Sequence, residues 1–221
     1  MSVNIFKQPI EVVNRLNELD TSRETLIEVI DALVAARADC TDNDPFGARG
    51  WRGWQMGTRR LRELHVGLDD WQKDDTDQVP SILSPSSGIR IVVCNTDDGT
   101  AIEERTPHNR SKKGSATDRA VDANQGSFMD LLDETVPVIS LAKHRMPAGN
   151  IVTHYLCVYA EGDDIRAELS CPINIGNGFF DRFIERIFII GGDTGAPEPI
   201  RRKSDDDGDG SEYSIPVRRK R

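Results

Sequence analysis

The sequence predicts an α+β fold. A helical N-terminal part, residues 1–75, packs on a small, mainly antiparallel sheet with one long helix, residues 76–192, and the two form one folded unit. A disordered, charged C-terminal tail, residues 193–221, follows. Three observations carry this expectation: apolar residues recur at helical spacing early in the chain, a β-hairpin is specified between Ile151 and Cys171, and the end of the chain alternates blocks of opposite charge with little to bury.

The first helix is expected from about Pro9 to Leu19, where Ile10, Val13, Leu16 and Leu19 recur at steps of three. In the second, Thr21 and Glu24 fit an S/T-x-x-E capping box, and Leu26, Ile30, Leu33 and Val34 share a face. A third is expected from Trp54 to Trp71, with Trp54, Leu61, Leu64, Leu68 and Trp71 as its stripe. Asp69 to Ser87 is polar and carries Pro80 and Pro85, so it reads as a connection.

Gly88 opens a strand, Ile89 to Cys94, buried on both faces and stopped by the turn cluster Asp97-Asp98-Gly99. A long basic loop, Ile102 to Gly114, leads into a helix from Ser115 to Leu132, with Ala116, Ala120, Ala123 and Met129 near one side. Val138 to Leu141 reads as a short strand. The hairpin then turns at Gly162-Asp163, with glycine where a type II′ turn wants it. That register pairs Ala160 with Ile165, Val158 with Ala167 and Leu156 with Leu169 on an apolar face. It pairs Tyr159 with Arg166, Cys157 with Glu168 and Tyr155 with Ser170 on a wetter one. Asn174 to Gly178 reads as a turn, Phe179 to Phe183 as a helical piece, and Arg186 to Ile190 as the last strand, ended by Gly191-Gly192.

Composition narrows the function classes. Of 221 residues, 37% are apolar and 29% charged, as in a folded protein with an unfolded segment. The formal net charge of -9 disfavours a general polyanion binder but leaves local basic patches open. Cys40, Cys94, Cys157 and Cys171 are widely spaced and read as free thiols of a reducing compartment. No basic start with a long apolar run, and no stretch near ~20 apolar residues, points to secretion or a membrane. The expectation is therefore cytoplasmic, with no membrane partner and no cofactor.

Chemical motifs are thin. Asp205, Asp207, Asp209 and Gly210 copy the opening of an EF-hand loop, but its twelfth position is Pro216 and no helical pattern flanks it, so a solvated acidic tail is expected. No C-x-x-C or H-E-x-x-H is present. His154 opposite Cys171 supplies two metal-ligand types with no third, so no metal site is predicted. No G-x-S-x-G occurs, and His65, His108, His144 and His154 have no assigned role. Asp97, Asp98 and Glu168 raise a metal-dependent nuclease, yet Ser170 stands where such enzymes carry lysine; a turn and a local ion pair are the simpler account.

Two patches remain. The loop 105–119 gathers Arg105, Arg110, Lys112 and Lys113 before Gly114 and a helix that Ser115 or Thr117 can cap, a phosphate or carboxylate cradle in outline. It lacks the first glycine of a Walker A loop. Around Trp51 and Trp54, Arg49, Arg52, Arg59, Arg60 and Arg62 precede the first acid, Glu63; Arg49, Trp51, Arg52 and Arg59 are the candidate contact residues. The leading expectation is a non-enzymatic interaction or regulatory subunit acting through a protein partner. The alternative is a nucleic-acid or nucleotide-phosphate binding protein, hydrolytic or not, using Arg110, Lys112, Lys113, Ser115 and Thr117.

Overall fold

The computed structural model describes residues 3–68, 70–133 and 151–191. Its elements run β1 (Asn4–Phe6), α1 (Pro9–Glu18), α2 (Arg23–Ala38), α3 (Ala48–His65), β2 (Gln72–Asp74), β3 (Ser81–Ser84), β4 (Ile89–Asn95), α4 (Ser115–Asp133), β5 (Val152–Glu161), β6 (Asp164–Gly176) and β7 (Phe179–Ile190), with a short 3₁₀ turn at Thr76–Gln78. The α+β class holds. The seven strands form one mixed sheet in the order β1-β7-β6-β5-β4-β3-β2, with β4–β5 and β1–β7 parallel and the other pairs antiparallel.

Two apolar cores flank the sheet. On one face α1, α2 and α3 bury Leu16, Leu26, Ile30, Leu33 and Leu61 against Ile91, Val93, Leu156, Leu169 and Ile187. On the other, Val121 of α4 joins Val92, Cys94, Tyr155, Cys157, Phe180 and Phe183. Leu156 and Leu169 are fully buried, and every cross-strand pair of the expected hairpin is present. Gly162 takes φ +57° and Asp163 does not take a positive φ, as a type II′ turn requires.

Several local expectations are corrected. Ser22, not Thr21, caps α2: its Oγ accepts from Thr25 N at 3.1 Å, and Thr21 instead pairs with the buried His65 at 2.9 Å. The buried stripe of α1 is Val12 and Leu16, leaving Ile10 and Val13 exposed. Helix α3 starts six residues early, because Gly47 accepts the left-handed conformation at its N-cap, and stops at His65; Leu68 lies outside it and is exposed. Among the described side chains of α4, Thr117, Val121 and Asn124 are buried and Ala123 faces out, while the expected stripe position Met129 lies outside the described side chains. Asn124 belongs inside because its amide bonds both Thr153 backbone groups and Pro172 O.

The connection before Gly88 contains β2 and β3, held by a buried Asp74 that accepts from Thr76 and Ser81. Phe179 to Phe183 is strand, because β7 continues to the turn after β6. Register shifts beginning at Cys171/Pro172 bend this ribbon, so that Phe180 packs on Tyr155 at 4.8 Å between ring centroids. The bend, α4 and the loop after β4 cover the hairpin face expected to be wet: Tyr155, Cys157, Glu168 and Ser170 are all buried. Val138 to Leu141, the tail from 193 and its acidic block lie outside the described residues.

Candidate functional site

The loop after β4 takes its shape from a buried ion pair. Glu168 has no solvent exposure and accepts from Ala101 N, from Ser170 Oγ and from both Nε and Nη2 of Arg186. Arg186 in turn donates to the carbonyls of Ile102 and Arg105 at 3.1 and 2.7 Å and to that of Gly99 at 3.4 Å. A guanidinium so placed fixes a loop that has no regular structure of its own. Asn109 adds a second anchor, donating to Ser111 O and Gly178 O and accepting from Phe180 N.

Held in this way, the loop runs back beside the end of β4 through an antiparallel bridge between Thr96 and Asn109. Thr96 and Asn109 point inward, so their neighbours Asn95, Asp97, His108 and Arg110 lie on the opposite side. Asp97 accepts from the backbone N–H of Gly99 and of His108, and its second oxygen lies 3.1 Å from His108 Nδ1. Asp98 pairs with Arg105, whose hydrogen bond lowers the pKa of that exposed carboxyl.

Arg110 reaches away from the rest of its basic stretch. Its Nη2 is 2.6 Å from Glu161, the last residue of β5, its Nε donates to Thr96 O at 3.3 Å, and its guanidinium sits 5.8 Å from the Tyr159 ring centre. Arg37, in the last turn of α2, meets the same carboxylate at 3.4 Å and donates to Ala160 O at 2.7 Å. The start of α3 is pinned to this corner, since Asn95 Nδ2 donates to Gly50 O at 2.8 Å.

The predicted site residues thus separate into groups. Arg49, Trp51 and Arg52 lie in the first turns of α3, at the corner where Arg110 arrives. Arg59 stands further along α3 in an exposed pair with Glu63. Lys112 and Lys113 lie at the turn between β6 and β7, where Lys113 N donates to Gly178 O and the Lys112 stem packs beside Gly178. Ser115 is exposed, whereas Thr117 is buried. Asp97 and Glu168 do not meet in a pocket: Glu168 is sealed by the donors around it. Sequence reading missed Arg37, Asn95, His108 and Glu161, because they come from four separate segments with no motif linking them.

A third cluster lies under α1. Glu185 accepts from Arg15 at 2.7 and 2.9 Å and lies 2.7 Å from His154 Nε2, all three being largely or wholly buried. Burial alone would push the Glu185 carboxyl up; the bonds from His154 and Arg15 outweigh it and bring its pKa down to about 2. Burial pushes the Cys157 and Cys171 thiols well up, so both are held protonated and unreactive. Among the described residues no group of three or more His, Cys, Asp or Glu is arranged to hold a metal ion, and none of their helices is long and apolar enough to cross a membrane. Comparison of the chain with protein-family models, with curated proteins and with solved structures found no match.

Proposed function

We propose that this protein is a non-enzymatic interaction subunit whose contact face is the entrance to α3. One observation carries the reading: Phe46 is fully exposed and Trp51 is 59% exposed, beside Arg49 and Arg52, whose acidic partners Asp42 and Asp44 stand off at 3.6 and 3.9 Å. Arg52 Nη1 also donates to Cys40 Sγ at 3.7 Å, which holds it beside the exposed rings; aromatic and arginine side chains presented together are the residue types that dominate binding energy at protein interfaces. Their chemistry fits an acidic segment of a protein partner that carries an apolar side chain. A long polyanion would meet the repulsion of a chain with net charge -9.

The experiment is affinity purification of the full chain from its native cells, beside a Phe46→Ala/Trp51→Ala variant, followed by mapping of the bound segment. The reading expects a partner recovered by the parent, lost by the variant and bound through an acidic segment. Equal recovery by both, or none by the parent together with turnover of a small substrate, removes it. The phosphate alternative on loop 105–119 is supported by the setting of Arg110, with different companions from those expected.

A further inference from the structure

We infer that Arg37, Arg49 and Arg110, at the C-terminal ends of the parallel strands β4 and β5, form a receptor for the phosphoryl group of a small ligand, and that Glu161 occupies it in the free protein. The inference rests on the phosphate alternative; it shares Arg49 with the contact face but needs neither Phe46 nor Trp51.

Three features build the site. First, Arg37 is placed there by the packing of α2 on α3. A Cβ at Gly53 would lie 2.7 Å from Arg37 Cγ and 3.0 Å from its Cδ, so the missing side chain is the channel through which the Arg37 stem passes. Its Nη2 is then fixed by Ala160 O at 2.7 Å and faces the Glu161 carboxylate at 3.4 Å, the position an anion would take. Second, Arg110 is set by the backbone bond from its N–H to Asn95 O at 3.0 Å, and Asn95 also holds Gly50 O, next to Arg49. Third, α3 is long, has no side-chain cap and carries no acid in its first turn, so its dipole adds to the same positive corner.

Charge selects the ligand. Arg110 and Arg37 share one carboxylate, Glu161, and among the described residues Arg49 is paired with the distant, exposed Asp42. The crowding is sensed by Arg37, whose pKa is lowered by burial first, against the pull of Glu161, and then by Arg110 and Arg49. Glu161 is half-exposed at a strand end and can swing out. The guanidiniums of Arg37 and Arg110 that it leaves, together with that of Arg49, match a phosphate dianion better than a single carboxylate, and a planar fork suits two phosphate oxygens at once.

The test is calorimetric titration of the full chain with inorganic pyrophosphate at chloride-matched ionic strength, using the parent, Glu161→Gln, Arg110→Gln and the double variant. Both positions are substantially exposed, and unchanged thermal unfolding checks that each variant folds. Removing the internal competitor should tighten pyrophosphate binding about tenfold, and Arg110→Gln should weaken it about tenfold in either background. Phe46→Ala/Trp51→Ala should leave these values unchanged, so failure of the aromatic face is read separately. Equal or weaker binding by Glu161→Gln, or no effect of Arg110→Gln, overturns the inference. A single-stranded oligonucleotide that binds where pyrophosphate does not overturns it in favour of a polyanion.

Discussion

Replacing Arg186 with methionine keeps most of the side-chain volume but removes every donor that this side chain offers to Glu168 and to the loop after β4. The change strands the Glu168 carboxylate in a site with no solvent exposure and deletes three bonds to the carbonyls of Gly99, Ile102 and Arg105. Breaking a buried pair by removing one partner destabilises by about 3–5 kcal/mol, since the remaining charge is uncompensated. Each carbonyl bond contributes about 1 kcal/mol, discounted where the freed loop regains water. A loss of about 4 kcal/mol is therefore expected, which would be a large part of a typical domain's stability. Urea unfolding followed by tryptophan fluorescence measures it. Adding Glu168→Gln removes the stranded charge, so the double variant should be more stable than the sum of the two single losses by about 2 kcal/mol. A loss under about 1 kcal/mol for Arg186→Met, or strict additivity in the double variant, would refute the view that this pair holds the loop.

Other outcomes follow from the same structure. Glu185 titrates at about 2 when folded against an ordinary 4.5, so it binds fewer protons folded than unfolded; its contribution of about 3 kcal/mol is present above pH 4.5 and is lost as pH falls toward 2. Glu185→Gln should flatten that part of an acid-unfolding curve, and an unaltered curve would count against the role given to His154 and Arg15. Gly53→Ala gains about 1 kcal/mol of helix propensity but drives a methyl into the Arg37 stem, which costs about 1–3 kcal/mol, so stability should fall slightly while pyrophosphate binding falls clearly. Trp51→Ala should change stability by less than about 0.5 kcal/mol, measured by denaturation, because the side chain is mostly in solvent. All four cysteines are free and buried, so a thiol reagent such as DTNB should modify none in the native protein and all four in guanidinium; rapid native labelling would contradict the packing.

The hairpin was legible because one register separates its faces, and a one-residue slip would put Leu156 and Leu169 in water. The strands β2 and β3 were hidden by their own polarity: Asp74, Ser81 and Ser84 are buried, but they bond among neighbours and break the apolar alternation that marks a strand. Bulges hid the start of β7, since register shifts opposite Pro172 to Ile175 scramble the period of Phe179 to Phe183. Glu168 misled for another reason. A carboxylate on a hairpin implies water unless a partner is in view, and its partner Arg186 lies on the next strand. At the candidate site, Arg49, Trp51 and Arg110 stood out by local composition. Arg37 and Glu161 did not, since a lone arginine ending a helix and a lone glutamate ending a strand are ordinary solvated residues until tertiary structure brings them together.

The pairing of β1 with β7 sets an order of events during synthesis. Asn4, Ile5 and Phe6 wait for Glu185, Arg186 and Ile187, and the nearby helices wait as well: Arg15 for Glu185, and Arg23 for Ile189 O. While the chain is growing, α2 and α3 can close on each other through local contacts. The apolar sides they turn toward the sheet stay uncovered until β5, β6 and β7 have left the ribosome. A nascent chain stalled before residue 185 should therefore expose Leu16 and Leu26 and hold a folding chaperone, and release should coincide with the emergence of the last strand.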